Sequence, residues 1–151
     1  MPNKHLVYIG LGSNLGNGPH NLDAAVCLLE SEVGEVLYTS SYIESEPWGF
    51  ESSNSFTNAV TAVSTELEPM DLLDVTQRIE RQMGRTRKHL KGEPYADRVI
   101  DLDILLYDDL HIESERLTIP HPLIAQRSFV SEPLQECRER LEHNTKFPSH
   151  E

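Results

Sequence analysis

Apolar positions recur along this chain with two different periods, and the switches between them mark out its elements. Residues 5–13, HLVYIGLGS, are apolar with a loose alternation, the pattern of a central β-strand. The Gly/Asn-rich run GSNLGNGPHN reads as a turn. From near Pro19 and His20 the period lengthens: Leu22, Ala25, Val26 and Leu29 share one helical face. Residues 36–42 predict a strand, followed by a loop broken by Pro47 and Gly49. The segment 55–67, SFTNAVTAVSTEL, alternates again. Phe56, Asn58, Val60 and Ala62 lie on one face and Thr57, Ala59, Thr61 and Val63 on the other, as in a sheet covered on one side. EPMDLLDVTQRIERQMGR opens with a proline near a helix start and closes at Gly84, with Leu72, Thr76, Ile79 and Met83 as its stripe. Residues 85–97 read as a polar loop, 98–107 as a strand, LHIESERLTIPHP as a short hairpin and PLIAQRSFVSEPL as a last helix. Beyond Gln135 the chain is charged and weakly patterned.

The resulting order, strand, helix, strand, strand, helix, strand, predicts an α+β fold. It is the ferredoxin-like split βαβ sandwich (βαββαβ) with a C-terminal hairpin and helix extension. At 151 residues the expectation is a single domain over 1–151 with one sizeable core. Composition is ordinary for a globular protein, with 38% hydrophobic and 25% charged residues. No apolar run is long enough to span a bilayer, and MPNKHLVYIGLGSNLG does not read as a signal peptide. Cys27 and Cys137 have no zinc-like spacing, so a cytoplasmic protein with free thiols is expected.

Charge sharpens the picture. The net charge of −12 argues against binding to nucleic acid or an anionic membrane. No Lys or Arg occurs from His5 through Gln77. Arg78, Arg81, Arg85, Arg87, Lys88, Lys91 and Arg98 then follow in close succession. Such a patch on an acidic protein suits a small, highly charged anion such as a polyphosphate. A solvated basic helix end and loop is the alternative.

The candidate chemistry lies just downstream, in DRVIDLDILLYDD (97–109). Aspartate is a poor strand former, yet Asp101 and Asp103 interrupt an apolar strand. Side chains two apart on a strand point the same way, with Cβ atoms roughly 6.5–7 Å apart. Both carboxylates can therefore lean toward a pair of cations about 3.5–4 Å apart. Ile100, Leu102, Ile104 and Leu106 form the opposite, apolar face. Hard oxygen ligands favour magnesium, which binds one or two carboxylates together with substrate phosphates. Solvated acids, or acids paired with the nearby arginines, are the other reading. GLGSNLG matches neither Walker A nor GxGxxG, so Gly10, Gly12 and Gly16 read as strand-end and turn glycines. His121 is held between two prolines and could donate to a phosphate. Phe56, Trp48 and Phe129 are candidates for the core or for stacking on a flat heterocycle.

Taken together, GLGSNLG, SSYIESEPWG, FTNAV, TQRIERQMGRTR, DRVIDLDILLY and RLTIPHPLIAQRSFV resemble, in order, the 6-hydroxymethyl-7,8-dihydropterin pyrophosphokinases of folate biosynthesis. The resemblance spans nearly residues 5–134. It implies a ferredoxin-like fold and transfer of a pyrophosphoryl group from ATP to the pterin hydroxymethyl oxygen, with release of AMP and two magnesium ions bridging the phosphates. By motif position, Asp101 and Asp103 are the implied metal ligands. Arg85 and Arg98 are the implied phosphate-contacting loop arginines, with Arg87 beside them. Gln77, His121 and Arg127 correspond to positions lining the ATP site, with Ile104 and Arg116 near base and sugar. Phe56 and Phe129 correspond to an aromatic pair around the pterin, Asn58 to the amide reading its edge, and Ser45, Pro47 and Trp48 to the adjoining wall. Glu80 corresponds to a helix carboxylate.

The chain departs from the family pattern at KHLKGEPYADR, where many members carry Trp-Gly-Pro-Arg. Tyr95 is the candidate to replace the lid tryptophan, and Pro122 stands where many members have tyrosine. The loops 45–55 and 85–97 are expected to close over the substrates and exclude water. The implied partners are ATP and a reduced pterin, and the expected state is a monomer or weak dimer. A nucleotidyl transferase or cyclase, which would release pyrophosphate, and a non-catalytic ligand-binding domain are the competing readings.

Overall fold

The computed structural model describes residues 4–45, 56–84 and 99–145. Its elements run β1 (His5–Ser13), α1 (Gly18–Glu32), β2 (Gly34–Thr39), β3 (Ile43–Ser45), β4 (Phe56–Thr65), α2 (Pro69–Gln82), β5 (Asp101–Tyr107), β6 (Ile112–Glu113), β7 (Thr118–Ile119), α3 (Leu123–Gln126) and α4 (Ser128–Thr145). The main sheet is ordered β2-β4-β1-β5, with β3 also paired to β4, and every pairing is antiparallel. This is the expected ferredoxin-like topology. β6 and β7 form the short hairpin.

Local sequence explains the helix starts. Asn17 caps α1 by accepting the His20 N–H at 3.1 Å. Pro69 opens α2, where its missing N–H costs nothing. The expected stripes are the buried ones: Leu22, Ala25 and Leu29 on α1, and Leu72, Thr76 and Ile79 on α2. They pack on Val7, Ile9, Leu11, Ala59, Val63, Leu102 and Ile104 of the sheet. Each Val, Leu or Ile side chain among them that is fully removed from water contributes about 1.5–3 kcal/mol.

The sheet is covered on both faces, which corrects the expectation of one covered side. The second face, with Tyr8, Val60, Ala62 and Leu105, packs against Val130, Leu134 and Cys137 of α4. The tail beyond Gln135 is helical to Thr145 because Leu134, Cys137 and Leu141 extend the apolar stripe begun at Val130. Side-chain hydrogen bonds hold this part of α4 down. The Cys137 thiol donates to the Val60 carbonyl at 3.2 Å, and Tyr38 donates its hydroxyl proton to Glu136 at 2.7 Å.

Two further boundaries move, and one register slips. The strand expected at 36–42 ends at Thr39. The Ser40 N–H still donates to the Val60 carbonyl at 2.9 Å, but the Val60 N–H turns to the Ser40 hydroxyl at 3.0 Å and the Ser41 N–H to the Glu136 carboxylate at 3.1 Å, so side chains take over from the ladder beyond that bond. The last helix is two pieces, because Arg127 is extended (φ −137°, ψ 123°) and its carbonyl accepts the first N–H groups of α4. In β5 the register slips between Ile9↔Ile104 and Tyr8↔Leu106, leaving Leu105 as a bulge. Leu105 and Leu106 consequently both join the α4-side core, and Leu106 does not continue the face of Leu102 and Ile104.

Candidate active site

The two aspartates sit where the sheet is barest. In the β1–β5 pairing, Gly12 lies opposite Asp101 and Gly10 opposite Asp103. In the β1–β4 pairing, Gly12 lies opposite Asn58 and Gly10 opposite Val60. Paired residues share a face, so two rows cross the sheet: Asn58–Gly12–Asp101 and Val60–Gly10–Asp103. The glycines leave a strip of uncovered backbone between an amide and two carboxylates.

Two cavities open beside this strip, and Asp101 and Asp103 line both. The first, of about 650 Å³, is floored by Gly10, Gly12 and Leu105 and walled by Phe56, Asn58, Arg127 and Phe129. The second, of about 910 Å³, is lined by Gln77, Glu80, Ile104, Arg116 and His121, with Pro122 at its margin. Three of the residues expected around a pterin, Phe56, Asn58 and Phe129, thus gather in one cavity, and four of those expected around ATP gather in the other. Arg127 is placed differently from its expected company. It lines the first cavity, with its guanidinium carbon 5.8 Å from the centre of the Phe129 ring. Phe56 and Phe129 are half-buried at the cavity wall, and Phe129 also packs against the α4-side core. Ser45 closes β3 opposite Phe56.

The carboxylates are held in place by their strand. Glu80, buried on α2, accepts the backbone N–H of Leu102 at 2.7 Å, between the two aspartates. His121 follows the hairpin, and its backbone N–H donates to the Leu105 carbonyl at 3.0 Å. Its Nδ1 accepts the Leu123 N–H at 3.1 Å, which puts the proton of the neutral ring on Nε2. Nε2 lies 3.8 Å from an Asp103 oxygen. Burial lowers the His121 pKa below its ordinary value, and the Asp101 carboxylate offsets part of that. A neutral ring presenting an N–H to an anion is the result. Arg116 is oriented by Asp74 at 2.8 Å and Gln77 at 3.2 Å.

Among the described residues no three His, Cys, Asp or Glu side chains cluster as a metal cage. Two hard-oxygen ligands open to both cavities instead fit magnesium, which completes its shell with water and substrate phosphates. Asp103 keeps 32% of its side chain exposed, enough for such an ion to be approached. Pro47, Trp48, Arg85, Arg87, Tyr95 and Arg98 lie outside the described residues. Sequence reading missed Gly10 and Gly12 as site residues, although glycines in a strand interior signal close approach by another group. It also missed Leu105, whose role depends on a bulge that periodicity does not reveal.

The family model for 7,8-dihydro-6-hydroxymethylpterin-pyrophosphokinase matches residues 8–139. The chain belongs to that family. A 2-amino-4-hydroxy-6-hydroxymethyldihydropteridine pyrophosphokinase of Porphyromonas gingivalis is 46% identical over 145 residues, 95% of this chain and 98% of its own length. The enzyme of the same description from Bacillus subtilis is 40% identical, over 92% of this chain and 81% of its own. Among solved structures, wild-type Plasmodium falciparum HPPK-DHPS with pteroate superposes with a TM-score of 0.65 at 15% identity. That match covers 85% of this chain and 38% of the Plasmodium one, so the chain spans about two fifths of that protein, and the likeness concerns the fold. As a member of the family, the chain is a transferase of folate biosynthesis that passes a pyrophosphoryl group to hydroxymethyldihydropterin.

Proposed function

We propose that the first cavity takes the reduced pterin, the second takes ATP, and transfer occurs across Asp101 and Asp103. The observation that carries this reading is that the two cavities meet at those two carboxylates and share no other charged residue among the described ones. Phe56 and Phe129 clasp the ring, and Asn58 reads its hydrogen-bonding edge, with Ser45, Pro47 and Trp48 contributing the wall. Ile104 and Arg116 face the nucleoside, Gln77 and Arg87 help hold ATP, and the His121 Nε2–H donates to a phosphate oxygen. Arg127 reaches the phosphates from the pterin side.

Asp101 and Asp103 would hold two magnesium ions, which would neutralise phosphate oxygens and lower the pKa of the acceptor hydroxyl. The hydroxymethyl oxygen attacks the β-phosphorus in line. The bond from that phosphorus to the α–β bridging oxygen breaks, and AMP leaves with the oxygen. Arg85 and Arg98 stabilise the charge that develops, a task for which a bidentate guanidinium is better suited than an ammonium. Positioning and charge neutralisation supply the catalysis, and no covalent enzyme intermediate is needed.

One catalytic domain, residues 1–151, acts as a monomer or weak dimer in the cytoplasm. No helix among the described residues is long and apolar enough to cross a membrane. The test is incubation with ATP, magnesium and the reduced pterin. AMP should form only when all three are present, and formation of ADP or pyrophosphate instead would reject the reading.

A further inference from the structure

Glu136 stands on α4, outside both cavities, yet its carboxylate gathers every donor of the β2–β3 junction that faces it. The Ser41 N–H lies 3.1 Å from each of its oxygens, the Tyr38 hydroxyl donates at 2.7 Å and the Ser41 hydroxyl at 3.4 Å. An ionised acceptor makes such bonds stronger than neutral ones. One turn further along α4, the Arg140 guanidinium carbon lies 5.0 Å from the centre of the Tyr38 ring, so the helix grips both the hydroxyl and the ring. From these contacts we infer that Glu136 is a positioning residue: by fastening α4 to the β2–β3 junction it sets the gap between Phe129 and Phe56. This rests on the assignment of the first cavity to the pterin.

The spacing along both segments supports it. Glu136 follows Phe129 by two helical turns, about 10 Å, on nearly the same face of α4. Ser45 follows Ser41 by four residues, at most about 14 Å of chain, and pairs with Phe56. Two segments of similar length thus start at one bonded junction and end at the two aromatic walls of one cavity. The rest of the hold on α4 is mainly apolar, through Val130, Leu134 and Cys137, and apolar contact has no preferred direction. The Cys137 thiol adds one weak donor. Glu136 therefore supplies the directional bonds that stop the helix from sliding or turning on the sheet. The consequence is confined to one cavity. Phe129 and Val130 of α4 line the first, and no α4 residue is among those described around the second.

The experiment measures pterin binding by calorimetry, with a non-hydrolysable ATP analogue and magnesium present, beside binding of the analogue alone. Glu136→Ala should weaken the pterin at least fivefold and leave the analogue within twofold of wild type. Glu136→Gln can accept the Ser41 N–H and donate to the Tyr38 oxygen, so it should bind the pterin within twofold of wild type. Leu141→Ala removes apolar packing from the same helix and leaves the carboxylate in place, and it should also stay within twofold. Folding is checked by thermal denaturation. If Glu136→Ala does not fold, Glu136→Asp decides, since it is too short to hold Ser41 and Tyr38 together and should weaken the pterin at least threefold. Pterin affinity within twofold of wild type in the deciding variant overturns the inference. So does equal weakening by Leu141→Ala, or failure of Glu136→Gln to recover binding. Phe129→Ala is run alongside. If it weakens the pterin and the deciding variant does not, only the role of Glu136 fails. If neither weakens it, the assignment of the cavity fails as well. Weakening by the Glu136 variant without weakening by Phe129→Ala would show that the carboxylate does not act through that wall, and overturns the inference too.

Discussion

Glu80 on α2 reaches the outer edge of β5 and accepts the Leu102 N–H at 2.7 Å, the peptide group that separates Asp101 from Asp103. Because Leu102 is 5% exposed and Glu80 8%, water is poorly placed to replace this bond. Glu80→Ala should cost about 1–3 kcal/mol, the usual penalty for a buried donor left unmet. It should also lower kcat, since the strand carrying both carboxylates loses its anchor. Glu80→Gln retains an acceptor oxygen and should recover most of the stability. Thermal denaturation beside steady-state kinetics checks this; an unaltered melting temperature in Glu80→Ala would contradict the anchoring role.

Asp101→Ala and Asp103→Ala should each reduce turnover by several orders of magnitude, because each removes a ligand to the ions that organise the phosphates. Both side chains are partly exposed at the cavity mouths, so the fold should survive, as circular dichroism would show. Near-normal rates in both variants would remove the metal assignment.

His121 gives the metal-free protein a specific pH dependence. Burial lowers its pKa in the folded chain, so below the ordinary value near 6.5 the unfolded chain binds a proton that the folded chain does not. Above 6.5 both forms are neutral and the group contributes nothing. As pH falls from 6.5 toward the lowered folded value, the group therefore costs stability. The difference in unfolding free energy between wild type and His121→Gln should shift in favour of the variant from pH 7.5 to 5.5. Denaturant melts across that range measure it, and a pH-independent difference would show that the ring titrates normally.

The two thiols should differ sharply. Cys27 is exposed, whereas Cys137 on α4 is fully buried against the sheet. Burial, with the Glu136 carboxylate adding to it, pushes the Cys137 thiol up to about 12. A disulfide reagent at pH 8 should titrate one thiol in the native protein and two in denaturant. Rapid reaction of both in the native state would mean that α4 does not cover the sheet.

What could be read from the sequence followed the strength of its periodicity. α1, β4 and α2 were legible because their apolar positions keep one period throughout, and β1 and β5 because they are short, mainly apolar runs. Asp101 and Asp103 stood out because carboxylates break an apolar strand. α4 was only half legible. Val130, Leu134, Cys137 and Leu141 do recur at helical spacing, but Pro133 and a dense run of charges obscure the stripe. The break after Thr39 depends on Glu136, almost a hundred residues away, and no local pattern carries it. Gly10 and Gly12 read as strand-end and turn glycines, and only the register with Asn58 and Asp101 places them at the site.

The most direct test is a crystal structure with a non-hydrolysable ATP analogue, magnesium and the reduced pterin. The account predicts metal density between the Asp101 and Asp103 carboxylates, the triphosphate entering from the His121 side and the ring between Phe56 and Phe129. Carboxylates turned into bulk solvent, distant from the triphosphate, would contradict it.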